Sequence, residues 1–426
     1  MSRLGVLLLV LHCLAMAHVG APARAESRGA WFAGRTIGDN FGVQVKEWET
    51  NAHELDIIKA TGFGLLRYGI GWPYVEDHEG HYDWTKYDRF IADVRARGLR
   101  SIIILWGSHP SYARGEKITP APTSDAAVAG FARFAAAAAQ RYQGDDVAWE
   151  LWNEPDLGRF WPPRANPDAY ARLALAACHS IRGVVASANV VGPAAASMPG
   201  ANGGLGIGLM ATVLRSPLNT CLDAISFHSY RIERGAAPKT PESVMQDNAK
   251  ASAFIAQFVS QGKATLPLVC SEWGYNTHDL TPGLQAAYVL RTHVSNLLSG
   301  VPLTVWYEWR DSLEGSNDPE SHYGLVDNRG RSKPAIEELK RVLPLIRDYR
   351  VERRIPTVDQ QDFVVLLRGQ GGERKLLVWT TRQQENGDVF VRVGDADKPV
   401  QLAALPRLIE IADDTVDVSA VRITTP

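Results

Sequence analysis

Apolar positions along this chain fall into two alternating kinds of run. From about Ile37 to Ile346, short and nearly continuous β-branched or Leu stretches alternate with longer segments whose apolar residues recur at helical spacing. The strand candidates are "IGDNFGV" from 37, "LLRYGI" from 65, "RSIIIL" from 100, "VAWELW" from 147, "NVVGPA" from 189, "DAISFHS" from 223, "LPLVCSE" from 266 and "LTVWYEW" from 303. Between them lie helix candidates: "TKYDRFIADVRARG" from 85, "SDAAVAGFARFAAAAAQRY" from 124, "NPDAYARLALAACHSIRGVVA" from 166, "PESVMQDNAKASAFIAQFVSQG" from 241 and "GLQAAYVLRTHVSNLLSG" from 283. Several open on a Thr, Ser or Asn cap and close at Gly, as helix termini do.

Strands this uniformly apolar are buried on both faces, which points to a parallel sheet covered by helices. Eight strand-helix units suggest closure into a (β/α)8 barrel of the α/β class, with an open doubly wound sheet as the alternative. No GxGxxG follows the first strand and no GxxxxGK[ST] occurs, so the nucleotide-binding forms of the open sheet lose support. After about residue 350 the pattern changes to period-two runs separated by Gly, Asp and Asn: "DFVVLLRG", "KLLVWTT", "DVFVRVG" and "RLIEIA". These predict a small antiparallel β domain packed on the barrel, a domain that the residues ahead of the first barrel strand could join. The expected division is a barrel over 26–346 and a small β-sandwich-like domain over 347–426.

The first 25 residues carry Arg3, an apolar run from Leu4 to Ala17 and a small-residue end at Ala23 to Ala25, the pattern of a cleavable secretory signal. The run is shorter than the roughly 20 residues that span a bilayer and is broken by His12. Secretion predicts a periplasmic or extracellular protein with no membrane span. Loss of the leader removes Arg3 and Arg24 and no acid, moving the formal net charge from -2 to -4, which favours neither nucleic acid nor an anionic surface. Of the four cysteines, Cys13 belongs to the leader; Cys178, Cys221 and Cys270 have no metal-ligand spacing, and one bridged pair or three buried thiols are both open.

In a (β/α)8 barrel the chemistry sits at the C-terminal ends of the strands. The polar and aromatic residues there are Arg67, Trp106 with His109, Asn153 with Glu154, His228 with Tyr230, Glu272, and Trp306 with Glu308 and Trp309. Glu154 and Glu272 both terminate apolar strands, where a buried charge is costly unless it has a partner or a task. Two carboxylates facing one site suit glycosidic cleavage: one protonates the leaving oxygen while the other attacks or stabilises the sugar cation. The surrounding aromatic residues offer flat faces for sugar rings.

With these residues in view, "WNEP" at 152–155, "SEWG" at 271–274, "ISFHSY" at 225–230 and "WYEWRDS" with "HYGLVD" and "KPA" over 306–335 resemble the retaining glycoside hydrolases of clan A, most of all family 39 with its bacterial exopolysaccharide endoglycosidases. The resemblance covers roughly residues 37–345. It implies that Glu154 is the acid/base and Glu272 the nucleophile. It also implies that Asn153 binds the sugar 2-hydroxyl, that Arg67 supports the ionised nucleophile and that His228 and Tyr230 orient it. Apolar walls around Glu154 are expected to raise its pKa. Trp106, His109, Trp306 and Trp309 are expected on the substrate-binding surface, whereas Trp152 is expected to pack.

Other readings have a place beside these. Arg67 also reads as a structural ion-pair partner and His228 as a core histidine. "HEGHY" at 78–82 lacks HExxH spacing, so neither a zinc site nor any other metal or cofactor is expected, and "EGSNDPE" at 314–320 reads as a polar loop. The size of the chain and its simple C-terminal β region favour an endo-acting enzyme on a polysaccharide or oligosaccharide. A β-xylosidase-type exo-enzyme and a catalytically inactive carbohydrate-binding protein are the alternatives. Neither linkage specificity nor oligomeric state is legible.

Overall fold

The computed structural model describes residues 29–34, 36–112, 120–198, 205–231, 239–258, 265–357, 359–382, 390–392, 402–411 and 422–424. The expected leader lies outside them. Eight strands, β1 (Phe41–Gln44), β2 (Leu65–Gly71), β3 (Arg100–Trp106), β4 (Val147–Leu151), β5 (Asn189–Ala195), β6 (Ala224–His228), β7 (Leu268–Trp273) and β8 (Thr304–Trp306), pair in parallel and in sequence, and β8 returns to β1 to close the barrel. Each was predicted within a few residues, except that 37–40 of the first candidate form a helical turn.

The helices that cover the barrel are α1 (Ala52–Thr61), α2 (Thr85–Ala96), α3 (Asp125–Arg141), α4 (Pro167–Val184), α5 (Leu205–Arg215), α6 (Val244–Ala256), α7 (Pro282–Leu298) and α8 (Pro334–Ile346). Ser124, Asn166 and Thr281 cap α3, α4 and α7 through their side chains. The helix α1 carries a full capping box, Asn51 with Glu54, and ends at Gly62 with φ 108°. No described helix is long and apolar enough to cross a membrane.

Successive strand residues alternate between barrel interior and helix layer. Leu65, Ile102, Ala148, Val191, Ala224, Val269, Leu303 and Val305 form the interior floor. Trp31 and Phe32 seal it from below, and the Arg100 guanidinium lies 3.5 Å from the Trp31 ring centroid while donating to the Trp31 carbonyl at 2.6 Å. The segment ahead of the first strand therefore plugs the barrel through Trp31 and Phe32, and its later residues Ile37 and Gly38 donate main-chain bonds to Tyr349 O and Arg347 O at 2.8 Å, at the entry to the β domain.

After the barrel, strands β9 (Arg350–Ile355), β10 (Asp362–Arg368), β11 (Arg374–Thr380) and β12 (Arg407–Glu410) form one antiparallel sheet in that order. Phe390–Arg392 pairs separately with Arg422–Thr424. The sheet is fixed to the barrel by Glu242, whose carboxylate accepts from Arg291 at 2.6 and 2.8 Å and from the Trp379 indole at 2.8 Å. Cys178 on α4 and Cys221 are disulfide-bonded across a separation of 43 residues, and Cys270 is a buried free thiol.

Candidate active site

Above the floor, the two-residue period of each strand delivers the next interior layer. On β2 the residue two beyond Leu65 is Arg67, and on β4 the residue two beyond Ala148 is Glu150. Both side chains are fully buried, and Arg67 Nε donates to Glu150 Oε2 at 2.7 Å. The same guanidinium donates to Gln44 Oε1 at 2.5 Å, to Glu272 Oε2 at 2.7 Å and to Asn153 Oδ1 at 2.8 Å. Burial works against its charge, but the carboxylates of Glu150 and Glu272 outweigh that and raise its pKa.

Glu272 reaches the interior through an irregularity. Val269 lies in the floor, and strict alternation would turn Glu272 outward. The register instead slips by one residue, with Phe227 opposite Cys270 and His228 opposite Glu272, and the β8 pairing slips over the same stretch. This bulge at Ser271 aims Glu272 inward and leaves Cys270 and Trp273 in the helix layer. Tyr230 then donates to Glu272 Oε1 at 2.7 Å.

Glu154 is presented by a strained turn. Trp152 and Glu154 have φ of 76° and 46°, a region that costs about 1–3 kcal/mol for each non-glycine residue. Main-chain bonds hold the turn, from Trp152 N to Leu105 O at 3.0 Å and from Glu154 N to Ala194 O at 2.9 Å. The Trp152 indole packs on Phe131 and Trp161, as expected, while Asn153 and Glu154 face the cavity.

His228 joins the two carboxylates. Its Nδ1 lies 2.7 Å from Glu154 Oε1 and 3.6 Å from Glu272 Oε1, and one oxygen of each carboxylate and a His228 ring nitrogen all lie within 4.8 Å of one another. His228 thus bonds Glu154 rather than the nucleophile candidate, a role the sequence reading assigned to both His228 and Tyr230. Burial depresses the imidazolium, yet the neighbouring charges of Glu272 and Glu154 prevail and raise its pKa. Glu154 departs from expectation. Its burial pushes its pKa up, but the His228 hydrogen bond and charge, with Arg159 at 3.5 Å, bring it below the ordinary carboxylate range. The apolar wall is present; the cation beside it overrides it.

Glu154 and Glu272 line a cavity of about 920 Å3 at the C-terminal mouth, with Gln44, Trp48, Trp106, Asn153, Arg159, Tyr230, Tyr307 and Tyr323 in its wall. Trp106 is therefore where it was expected. His109, Trp306 and Trp309 are not. His109 is buried with Nε2 2.8 Å from the Glu76 carbonyl, anchoring the hairpin of Glu76–His78 and His81–Tyr82. Because Val305 points into the floor, Trp306 next to it turns out into the helix layer, and Trp309 donates to Glu54 at 3.0 Å. Tyr307 takes the aromatic position at the wall that Trp306 was expected to fill.

The sequence reading passed over Gln44, Glu150 and Arg159. Glu150 had a signal, a charge inside an apolar strand; Gln44 and Arg159 had none. Among the described residues two groups have donor atoms close enough for a metal ion: Glu154, His228 and Glu272, and the exposed Asp77, His78 and His81 of "HEGHY".

The sequence matches the family model Cellulase (glycosyl hydrolase family 5) over residues 26–311. No curated protein matches it. Among solved structures it is similar to a family 39 glycoside hydrolase from the gut symbiont Bacteroides cellulosilyticus WH2, with TM-score 0.73 and 20% identity over 88% of this chain and 81% of that one. A glucosidase from Croceicoccus marinus gives 0.61 and 16% over 88% and 82%, and a family 30 endoxylanase from Clostridium papyrosolvens C71 gives 0.58 and 14% over 89% and 95%. At these identities the structural likeness carries the fold, a barrel that all three share. The chain belongs to the Cellulase (glycosyl hydrolase family 5) family, and it is a retaining glycoside hydrolase of clan A.

Proposed function

We propose that Glu154 and Glu272 cleave β-glycosidic bonds by double displacement, and that the enzyme is secreted and cuts within the chains of a bacterial exopolysaccharide. The observation that carries the chemistry is the approach of the two carboxylates to within 4.8 Å. Retaining enzymes hold theirs roughly 5–5.5 Å apart, whereas inverting enzymes need about 6.5–9.5 Å to admit a water.

Hydrogen bonding divides the roles. Glu272 accepts from Arg67 and Tyr230, which fix its carboxylate in place and aim it, as a nucleophile requires. Glu154 faces His228, a group that can exchange a proton with it at 2.7 Å. In the first step a Glu272 oxygen bonds the anomeric carbon as the glycosidic oxygen departs with the proton of Glu154. His228 Nδ1 hands that proton to Glu154 before the glycosidic bond breaks and is left neutral. Ester formation removes the Glu272 charge that favours a protonated His228, so the imidazole stays neutral while the glycosyl-enzyme lasts. Glu154, now a carboxylate, takes a proton from water, whose oxygen displaces Glu272 and gives a sugar of unchanged anomeric configuration.

Endo action is supported by the cavity, which stands near the top of the ~300–1,000 Å3 range of small-molecule pockets and suits several sugar units better than one terminal residue. Secretion is supported by the Cys178–Cys221 disulfide, since such bonds persist in oxidising compartments.

The test is proton NMR of the first-formed product on glucan, xylan and mannan substrates, with Glu272→Ala as the paired variant. Retained configuration, and at least about a 10^4-fold loss of turnover in the variant, is expected. An inverted product would sink the double displacement. Turnover by neither protein, with binding by both, would favour the inactive carbohydrate-binding alternative.

A further inference from the structure

We propose that Trp48, Tyr74 and Trp106 form a stacking shelf for sugar units remote from the scissile bond, selecting long, uncharged β-linked chains. The proposal rests on the glycoside hydrolase reading above and adds a binding surface that the two carboxylates do not require.

The three rings follow three successive barrel strands on one side of the mouth. Trp48 lies in the loop after β1, Tyr74 in the turn after β2, and Trp106 at the end of β3. Trp48 and Trp106 line the catalytic cavity. Tyr74 packs edge-on against Trp106 with ring centroids 5.9 Å apart, which carries the apolar surface outward from the cavity. Trp48 and Tyr74 are 59% and 64% exposed, and they are the aromatic members among the large apolar side chains left exposed in the described residues. A single such residue needs no explanation, but three rings continuous with a cavity mark a binding surface.

Two features show that the shelf is built. The strand beneath it carries Gly69 and Gly71. A Cβ on Gly69 would stand 2.7 Å from Trp106 Nε1, and one on Gly71 would stand 2.6 Å from a Tyr74 ring carbon, so both rings hold these positions only because Gly69 and Gly71 have no side chain. Lys86 then holds the outer pair, with Nζ 5.4 Å from the Trp48 ring centroid and 5.9 Å from that of Tyr74. Glu47 lies 3.5 Å from the same Nζ and balances its charge. A surface of flat apolar faces with paired charge matches the C–H faces of neutral sugars rather than an anionic polymer.

Two measurements test this. Affinity electrophoresis through gels containing soluble β-glucan, β-xylan or β-mannan reads binding without turnover, and kcat/KM on long and short oligosaccharides of the retarding polymer reads use of the shelf. Trp48→Ala with Tyr74→Ala should abolish retardation and lower the long-to-short ratio of kcat/KM about tenfold, chiefly through KM. Gly71→Ala, which removes no aromatic ring but displaces Tyr74, should act in the same direction. Leu345→Ala, an exposed apolar residue on α8, should change neither reading. The proposal is overturned if none of the three polymers retards the wild type, or if the double variant is retarded as the wild type is. Turnover of short substrates with unaltered retardation would remove the shelf and leave the hydrolase reading standing.

Discussion

His228 Nδ1 stands 2.7 Å from Glu154 Oε1, so the acid/base candidate and its imidazole neighbour share one proton between two buried groups. The limb of the pH–rate profile on which activity falls as pH rises then reports loss of that proton from the pair. In the wild type it leaves from an imidazole whose pKa is raised above the ordinary value of 6.5 by the neighbouring carboxylates, against the effect of its burial. In His228→Gln it leaves from a carboxyl whose ordinary value is 4.5. The basic limb of kcat/KM should therefore move to lower pH, with kcat down about tenfold or more for lack of the relay. An unmoved limb would mean that Glu154 titrates without His228.

Glu150 sits at the centre of the barrel with one partner, Arg67, and both side chains are fully buried. Removing Glu150 takes away one of the two carboxylates that balance the buried guanidinium and leaves Glu272 as the other. Glu150→Ala should lower unfolding free energy by about 1–3 kcal/mol in denaturant titrations, and activity should fall as well because Arg67 also positions Glu272 and Asn153. A loss under about 1 kcal/mol would mean that the guanidinium finds water or another acceptor, and would remove the argument that Glu150 fixes the site from below.

Glu308, buried beside Lys46 at 3.1 Å, has its pKa pushed up to about 7, chiefly by burial and further by the charge of Glu272, with Lys46 opposing. An acid whose folded pKa is raised binds its proton more tightly in the folded state. Its contribution is complete below the unfolded value near 4.5 and is lost as pH rises to about 7. Wild-type stability should accordingly decline over that window by up to about 3 kcal/mol on this account, and Glu308→Gln should flatten the decline. Thermal unfolding of both proteins at several pH values measures it; parallel curves would remove Glu308 from the explanation.

Much of this was legible in the sequence because the relevant physics is local. Eight apolar runs could be counted, and an acid at the end of an apolar strand is conspicuous wherever it occurs. The direction in which a side chain faces was legible only where alternation ran unbroken. Trp306 follows inward-facing Val305, so its outward turn could have been read from the period of two, as could the inward turn of Tyr307. Glu272 could not, because a bulge reverses its face and no residue type announces a bulge. The electrostatics of Glu154 were equally hidden. Its apolar surroundings were visible, but its cation comes from residue 228, 74 positions away. The Trp31 plug was missed for the same reason: its partner, Arg100, lies 69 residues further on.

That plug sets the polarity of the whole molecule. Trp31 occupies the pole of the barrel opposite the catalytic mouth. A tether fixed just upstream of it, to a resin, a nanoparticle or a cell envelope, would seat the enzyme with its opening turned away from the support. Immobilised in that orientation, it could work on a bulky gel-like polymer, whereas attachment through lysines such as Lys46 and Lys86 would press the opening against the carrier.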